Sequence, residues 1–93
     1  MVIKIRLLEI DIEAAEFFNK LFRKGNWNNS YDRAEHFKRF SNLNKIVKEF
    51  AKKGWIIIHK KPNYEAYSLN TKHKLEIIEF IEKNKPELKD TFH

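Results

Sequence analysis

Ninety-three residues amount to one domain, and a domain of this size buries only about 60% of the surface its unfolded chain exposes, so a dense core has to come from the eight Phe, three Tyr and two Trp. The absence of cysteine excludes disulfides and thiolate metal sites, and apolar runs such as Trp55-Ile56-Ile57-Ile58 are too short to span a bilayer. The net charge of +6 is unevenly placed: residues 1–32 balance, residues 33–61 carry nine basic and two acidic groups, and residues 62–93 are one charge negative. The N-terminal Met-Val-Ile-Lys-Ile-Arg has charges inside its apolar run, unlike a signal peptide. We therefore expect an intracellular, cytoplasmic protein with no membrane partner, held by packing alone. One sign of charge gathered in the middle third favours a polyanionic partner, of which nucleic acid is the commonest. The alternative is that the lysines only solvate helix faces.

In chain order, Val2, Ile3, Ile5, Leu7 and Leu8 fit either a strand or the lead-in to a helix. Asp11 is placed to cap a helix in which Ile10, Ala14, Phe17 and Leu21 recur at helical spacing, flanked by Phe18 and Phe22, and which ends at Gly25 after Arg23 and Lys24. Asn26-Trp27-Asn28-Asn29 reads as a loop, with Trp27 either a lid on the first helix or a partner contact. Ser30 is placed to cap a short second helix with Ala34, Phe37 and Phe40 on one face and Arg33, Lys38 and Arg39 pointing away. After a break at Ser41-Asn42, a third helix runs to Lys53, with Leu43, Ile46, Val47 and Phe50 inward and Asn44, Lys45, Lys48 and Lys52 outward, closed by Gly54. Trp55 to His59 and Tyr64 to Leu69 read as the strands of a hairpin whose turn holds Lys60, Lys61, Pro62 and Asn63. Asn70 or Thr71 starts a last helix bearing Leu75, Ile77, Ile78, Phe80 and Ile81, stopped by Pro86.

Phe50-Ala51-Lys52-Lys53-Gly54-Trp55-Ile56, followed after a basic turn by Tyr67-Ser68-Leu69-Asn70-Thr71-Lys72, resembles the recognition-helix end, wing and closing-helix start of winged helix-turn-helix regulators of the MarR and ArsR type. The resemblance spans about residues 30–80. Asn70 stands where Thr is usual, and His73 or Lys74 where Gly often opens the last helix. The short length and the Asn-, Lys- and Ile-rich composition are also similar to small winged-helix proteins of archaea and their viruses. The implied fold is α+β, mostly α: a three-helix core, a β-hairpin wing and a C-terminal helix. It forms one domain over 1–93, with its core at about 11–85 and a flexible tail at 86–93.

The resemblance implies a sequence-specific double-stranded DNA-binding protein, a transcriptional regulator, with the helix at about 42–53 in the major groove and the wing at about 59–64 on the flanking backbone or minor groove. Asn44 and Lys45 are the first choices for base edges, with Asn42 and Lys48 beside them. Arg33, Lys38, Arg39 and Lys52 suit phosphates, and Lys60, Lys61 and Asn63 sit on the wing. The apolar surplus of the last helix (Leu75, Ile77, Ile78, Phe80, Ile81), with the N-terminal segment, is the expected homodimer interface. The alternative is a winged-helix adaptor that meets an acidic protein surface in a larger complex. No enzyme is expected: there is no nucleophile-base pairing, no Gly-rich phosphate loop, no cofactor motif, and no two of His36, His59, His73 and His93 at metal-ligand spacing. Glu76 and Glu79 fit ion pairs with Lys72 and Lys83. Trp55 reads as core, and Tyr64 as either a DNA contact or a cross-strand partner. RNA recognition is less favoured, because the chain lacks the Phe/Tyr-rich sheet motif of common single-strand readers.

Overall fold

The computed structural model describes residues 2–88, with side chains from Glu9 onward. Helix α1 (Val2–Arg23) is followed by strand β1 (Asp32–Arg33) and a 3-10 turn (Ala34–Phe37). Then come helix α2 (Leu43–Lys52), strands β2 (Ile56–Lys60) and β3 (Glu65–Leu69), a second 3-10 turn (Thr71–His73) and helix α3 (Lys74–Asn84). The fold is α+β and mostly helical, with a three-stranded antiparallel sheet in the order β1-β3-β2.

Residues 2–9 resolve to helix: α1 runs unbroken through Asp11, which lies inside the helix and does not begin it. No Gly or Pro interrupts Val2 to Ile10, and Leu, Lys, Arg and Glu in that stretch are good helix formers. Both predicted glycine ends are present. At Gly25 (φ 70°) the Asn26 N–H reaches the Leu21 carbonyl at 2.9 Å, and at Gly54 (φ 81°) the Trp55 N–H reaches the Phe50 carbonyl at 2.9 Å. These six-to-one bonds satisfy carbonyls that the last helical turn would leave open, and they need a left-handed residue that only glycine adopts without strain. A Cβ at Gly54 would also lie 3.2 Å from the His73 ring.

The second helix expected from Ser30 is not formed as such. Asp32 and Arg33 instead form a strand that pairs with β3, Asp32 opposite Tyr67 and Arg33 opposite Ala66. Only then does the chain coil, as a single 3-10 turn that still buries Phe37 and brings Phe40 inward. The strand wins because β3 would otherwise offer an open edge of backbone donors and acceptors beside the core. The loop after α1 joins the same edge, with Leu69 N–H to the Asn26 carbonyl and Asn28 N–H to the Leu69 carbonyl, both at 2.8 Å.

Phe17 and Phe18 on α1 organise the core. Phe17 meets Phe37 at 5.0 Å, Phe40 at 5.8 Å and Tyr67 at 6.0 Å between ring centroids, all edge-on. Phe18 meets Phe50 edge-on at 4.8 Å and Phe80 at 5.6 Å. Trp55 packs on the same cluster, 5.2 Å from Phe50 and 5.7 Å from Phe80, so it belongs to the core. Trp27 packs edge-on to Phe22 at 5.7 Å and closes the end of α1 as a lid.

Two further expectations change. Of the five α3 residues read as an apolar surplus, Ile77 and Ile81 are buried in the protein's own core, Phe80 packs on Phe18, Phe50 and Trp55, and Ile78 is half-buried. Leu75 alone is largely free, at 75% exposure. The surplus is absorbed because so small a domain needs most of a helix's circumference to fill its core. At the C-terminal end the ordered chain passes the expected limit at 85: residues 86–88 form a 3-10 turn that packs Leu88 against the core, and residues 89–93 of the expected tail lie outside the described residues. Glu76 pairs with His73 at 2.7 Å, and among the described residues neither Lys72 nor Lys83 pairs with a glutamate.

The start of α2 depends on a residue of α1. Asn42 makes no side-chain cap to its own helix. Instead the Glu13 carboxylate accepts the Asn42 backbone N–H at 2.8 Å, its Nδ2 at 3.0 Å and the Ser41 hydroxyl at 3.4 Å. A carboxylate there takes an orphan donor and faces the positive end of the helix dipole. Glu13→Ala is expected to lower stability by about 1–2 kcal/mol, measured by chemical denaturation. Amide exchange should quicken first at the start of α2.

Candidate nucleic-acid interface

Helix α2 carries its charge on the side its packing leaves free. Ile46, Val47 and Phe50 are buried, while Asn44, Lys45, Lys48 and Lys52 are exposed. Among the described residues the side chains of these four make no hydrogen bond or ion pair within the protein. Lys45, Lys48, Lys52 and Lys53 line an open groove of about 730 Å³ together with the acids Asp11 and Glu49 and the apolar residues Ile10, Ile46, Phe50 and Phe80. Lys53 lies over the rings of Phe50 at 5.0 Å and Trp55 at 5.9 Å, so it is tied to the core by its stem and by ring contact.

The remaining sequence candidates fall into separate groups. Asn42 is committed to Glu13 and half-buried, so it is a structural residue of the α1–α2 junction. Arg39 lies over the Phe40 ring at 4.3 Å and lines cavities with Glu16, Lys20 and Arg23 of α1, away from the outward face of α2. There the Lys20 ammonium is held below its ordinary pKa by burial and by the charges of Lys24 and Arg39. Lys38 is exposed beside the 3-10 turn and makes no ion pair among the described residues. Lys60, Lys61 and Asn63 are exposed at the hairpin tip, where Lys61 N–H to the Tyr64 carbonyl at 2.9 Å closes a tight turn around Pro62. The structure thus brings together one set on α2 and another on the hairpin, and it sets Arg39 and Asn42 apart.

A group that sequence reading missed lies around β1. Arg33 sits over the Tyr64 ring at 4.0 Å, Lys61 over the Tyr31 ring at 5.3 Å, and the two tyrosine hydroxyls are 3.2 Å apart. The signal was present only in the pairing of β1 with β3, which two residues cannot announce. Asp32, next to Arg33, accepts from Lys24 at 2.6 Å, meets His36 Nδ1 at 2.5 Å and takes the Arg33 backbone N–H at 3.0 Å. Burial alone would raise its carboxyl, but the hydrogen bonds and charges of Lys24 and His36 hold it below the ordinary value.

His59 Nε2 lies 2.9 Å from the Ser68 hydroxyl, a pairing the sequence reading did not find. That hydroxyl is fully buried and donates its proton to the Asn28 carbonyl at 2.7 Å, so it accepts from His59 and no base activates it. Among the described residues no group of three or more acidic, histidine or cysteine side chains could hold a metal ion, and no helix is long and apolar enough to cross a membrane. Comparison with protein-family models, with curated proteins and with solved structures finds no match.

Because the Asp32 carboxyl is held low when folded, its ties contribute stability above the ordinary carboxylate pKa and lose it as pH falls through the folded value. Denaturation followed between about pH 6 and 2 should show the parent losing stability below about pH 4 more steeply than Asp32→Asn. Equal slopes for the two proteins would show that Lys24 and His36 do not act on Asp32 as described.

Proposed function

We propose that this protein is a winged helix-turn-helix module that binds double-stranded DNA and regulates transcription, with α2 entering the major groove. The observation that carries this reading is the state of α2: Asn44, Lys45, Lys48 and Lys52 stand exposed on one helix with no hydrogen-bond or ion-pair partner among the described residues, while its apolar residues face the core. A rigid helix with free amide and ammonium donors on one side suits a groove about 12 Å wide. By contrast Lys20, Lys24 and Lys85 are engaged with the His36 carbonyl, Asp32 and Glu87 respectively. The element order of helix, short strand, helical turn, helix and hairpin supports the same reading.

In this arrangement Asn44 and Lys45 meet base edges, Lys48 and Lys52 the backbone, and the hairpin tip with Lys60, Lys61 and Asn63 the flanking groove or phosphates. Lys38 is within the same basic stretch and adds a phosphate contact. Asn42 is left out because Glu13 engages it, and Arg39 because it lies over the Phe40 ring and lines cavities with α1 instead of the groove along α2. The homodimer is not needed for this reading, because most of the α3 face expected to form it is buried within one copy.

Titration of labelled duplex at several salt concentrations tests the assignment. Affinity should fall linearly on log-log axes, and Lys48→Ala should reduce the slope by about 1. Lys45→Ala should weaken binding by about 1–3 kcal/mol and relax preference at one base pair in a selection from random duplexes. Lys83→Ala, on the exposed side of α3, serves as the control and should bind like the parent. If duplex binding is weak and insensitive to Lys45 and Lys48, the module is an adaptor for an acidic protein surface.

A further inference from the structure

The sheet has a second face, and it is not bare. Ile56, Tyr67 and Leu69 point into the core, so their neighbours in the alternation point the other way. The register lines up Arg33, Ala66 and His59 in one row across the three strands on this outer side. Ala66 and Ser68 nevertheless have no exposed surface. A layer of larger side chains therefore covers them. Tyr31 lies against His59 at 4.6 Å between centroids with the rings 35° apart, and Tyr31 and Tyr64 are 6.4 Å apart and joined through their hydroxyls at 3.2 Å. His59 is anchored beneath by the Ser68 hydroxyl, itself tied to Asn28.

Each tyrosine ring carries one cation: Arg33 at 4.0 Å from the centre of Tyr64, and Lys61 at 5.3 Å from the centre of Tyr31. Two flexible cations from different segments are thus drawn to one spot, and the ring faces attract them there. Glu35 is the acid that meets them, at 3.8 Å from Arg33 Nη1, with both partners about half exposed. The two hydroxyls share one bond, which uses one of their two protons and leaves the other O–H as a donor. The Tyr64 phenol is also raised above its ordinary pKa, first by the bond to Tyr31 and then by burial, so it stays protonated at neutral pH. Guanidinium, ammonium and phenol together form a set made of donors, which matches a group made of acceptors.

We propose that Arg33, Lys61 and the Tyr31–Tyr64 pair form a phosphodiester-binding site on the outer face of the sheet, and that it clamps the backbone of a duplex held by α2. This rests on the DNA-binding reading and extends it. Tyr31 and Tyr64 are positioning residues that act through Arg33 and Lys61, so the contact depends on β1 as well as on the hairpin tip. The cations reach the phosphate already oriented, which lowers the entropy lost on binding. A base-stacking platform is disfavoured, because the ring faces are occupied by Arg33, Lys61 and His59.

The test is a double-mutant cycle on duplex binding across salt concentrations, with melting temperatures measured for every variant. Tyr64→Leu should weaken binding by about two- to fivefold, the equivalent of one exposed cation-ring contact, and lower the salt slope by up to about 1. Tyr64→Phe keeps the ring and should stay closer to the parent. In an Arg33→Met background the further change Tyr64→Leu should have a clearly smaller effect, because the cation on its ring is gone and only its bond to Tyr31 remains. If Tyr64→Leu weakens binding equally in both backgrounds, the clamp is wrong and the tyrosine serves the fold. Should Tyr64→Leu fail to fold, Arg33→Met and Lys61→Met, at exposed positions, decide: parental affinity and slope in both overturn the site. A parent that binds duplex but prefers single strands would replace the duplex clamp with a single-strand surface. A parent that binds no duplex, and is unchanged by Lys45→Ala, overturns the underlying reading itself.

Discussion

The packing of Phe17 and Phe18 is the constraint on which the rest of the structure depends. Adjacent residues on a helix point about 100° apart, and this pair uses that divergence to serve two walls at once. Phe17 closes the side made by the 3-10 turn and β3, through Phe37, Phe40 and Tyr67, and Phe18 closes the side made by α2 and α3, through Phe50 and Phe80. Because both rings are fully buried and meet neighbours edge-on, neither wall can rotate about α1 without losing contacts of about 0.5–1.5 kcal/mol each beyond simple burial. The direction of α2 follows, and with it the direction of every cation on its outer side.

Glu13 completes this arrangement from the same helix. It lies one turn before Phe17, so the helix that buries the inner side of α2 also caps the start of α2. A local cap on α2 would hold the helix end but say nothing about its position. A cap from α1 links the two, and it explains why Asn42, which reads as an exposed polar residue at a helix start, is unavailable to a ligand. The Tyr67 phenol, buried between these walls and bonded to Glu65, is pushed up to about 12 and adds no charge to the core at any physiological pH.

Much of this was legible in the chain because it is local. The glycine ends after basic turns, the inward positions 46, 47 and 50, the hairpin around Pro62 and the turn start at Asn70 are all set by neighbours within a few residues. Asn70 also ties two elements together: it accepts from Lys72 N–H at 3.0 Å and donates to the Gly54 carbonyl at 2.9 Å, joining the α2 end to the α3 start. What escaped was non-local. A two-residue strand shows no alternation, so Asp32 and Arg33 read as helix until β3 is beside them. Glu13 and Asn42 are 29 positions apart, and Tyr31 and Tyr64 are 33 apart. The apolar count of α3 looked excessive for the same reason, since Trp55 and Phe18, which absorb Phe80, come from elsewhere in the chain.

The acidic residues complete the account of the basic face. Like charges left together destabilise a small fold by mutual repulsion, and the simplest relief would be to mix acids among them. This protein places its acids elsewhere: Glu13 at the α2 cap, Asp32 on Lys24 and His36, Glu16 and Glu87 near Lys85, Glu76 on His73. Glu49 and Glu35 are the exceptions in the basic stretch, and Glu35 reaches Arg33 only at 3.8 Å. The fold therefore neutralises the cations that hold it together and leaves bare those on α2 and at the hairpin tip. A polyanion on that face, as proposed above, would relieve the repulsion among these cations, so the charge pattern that weakens the free protein would strengthen such a complex.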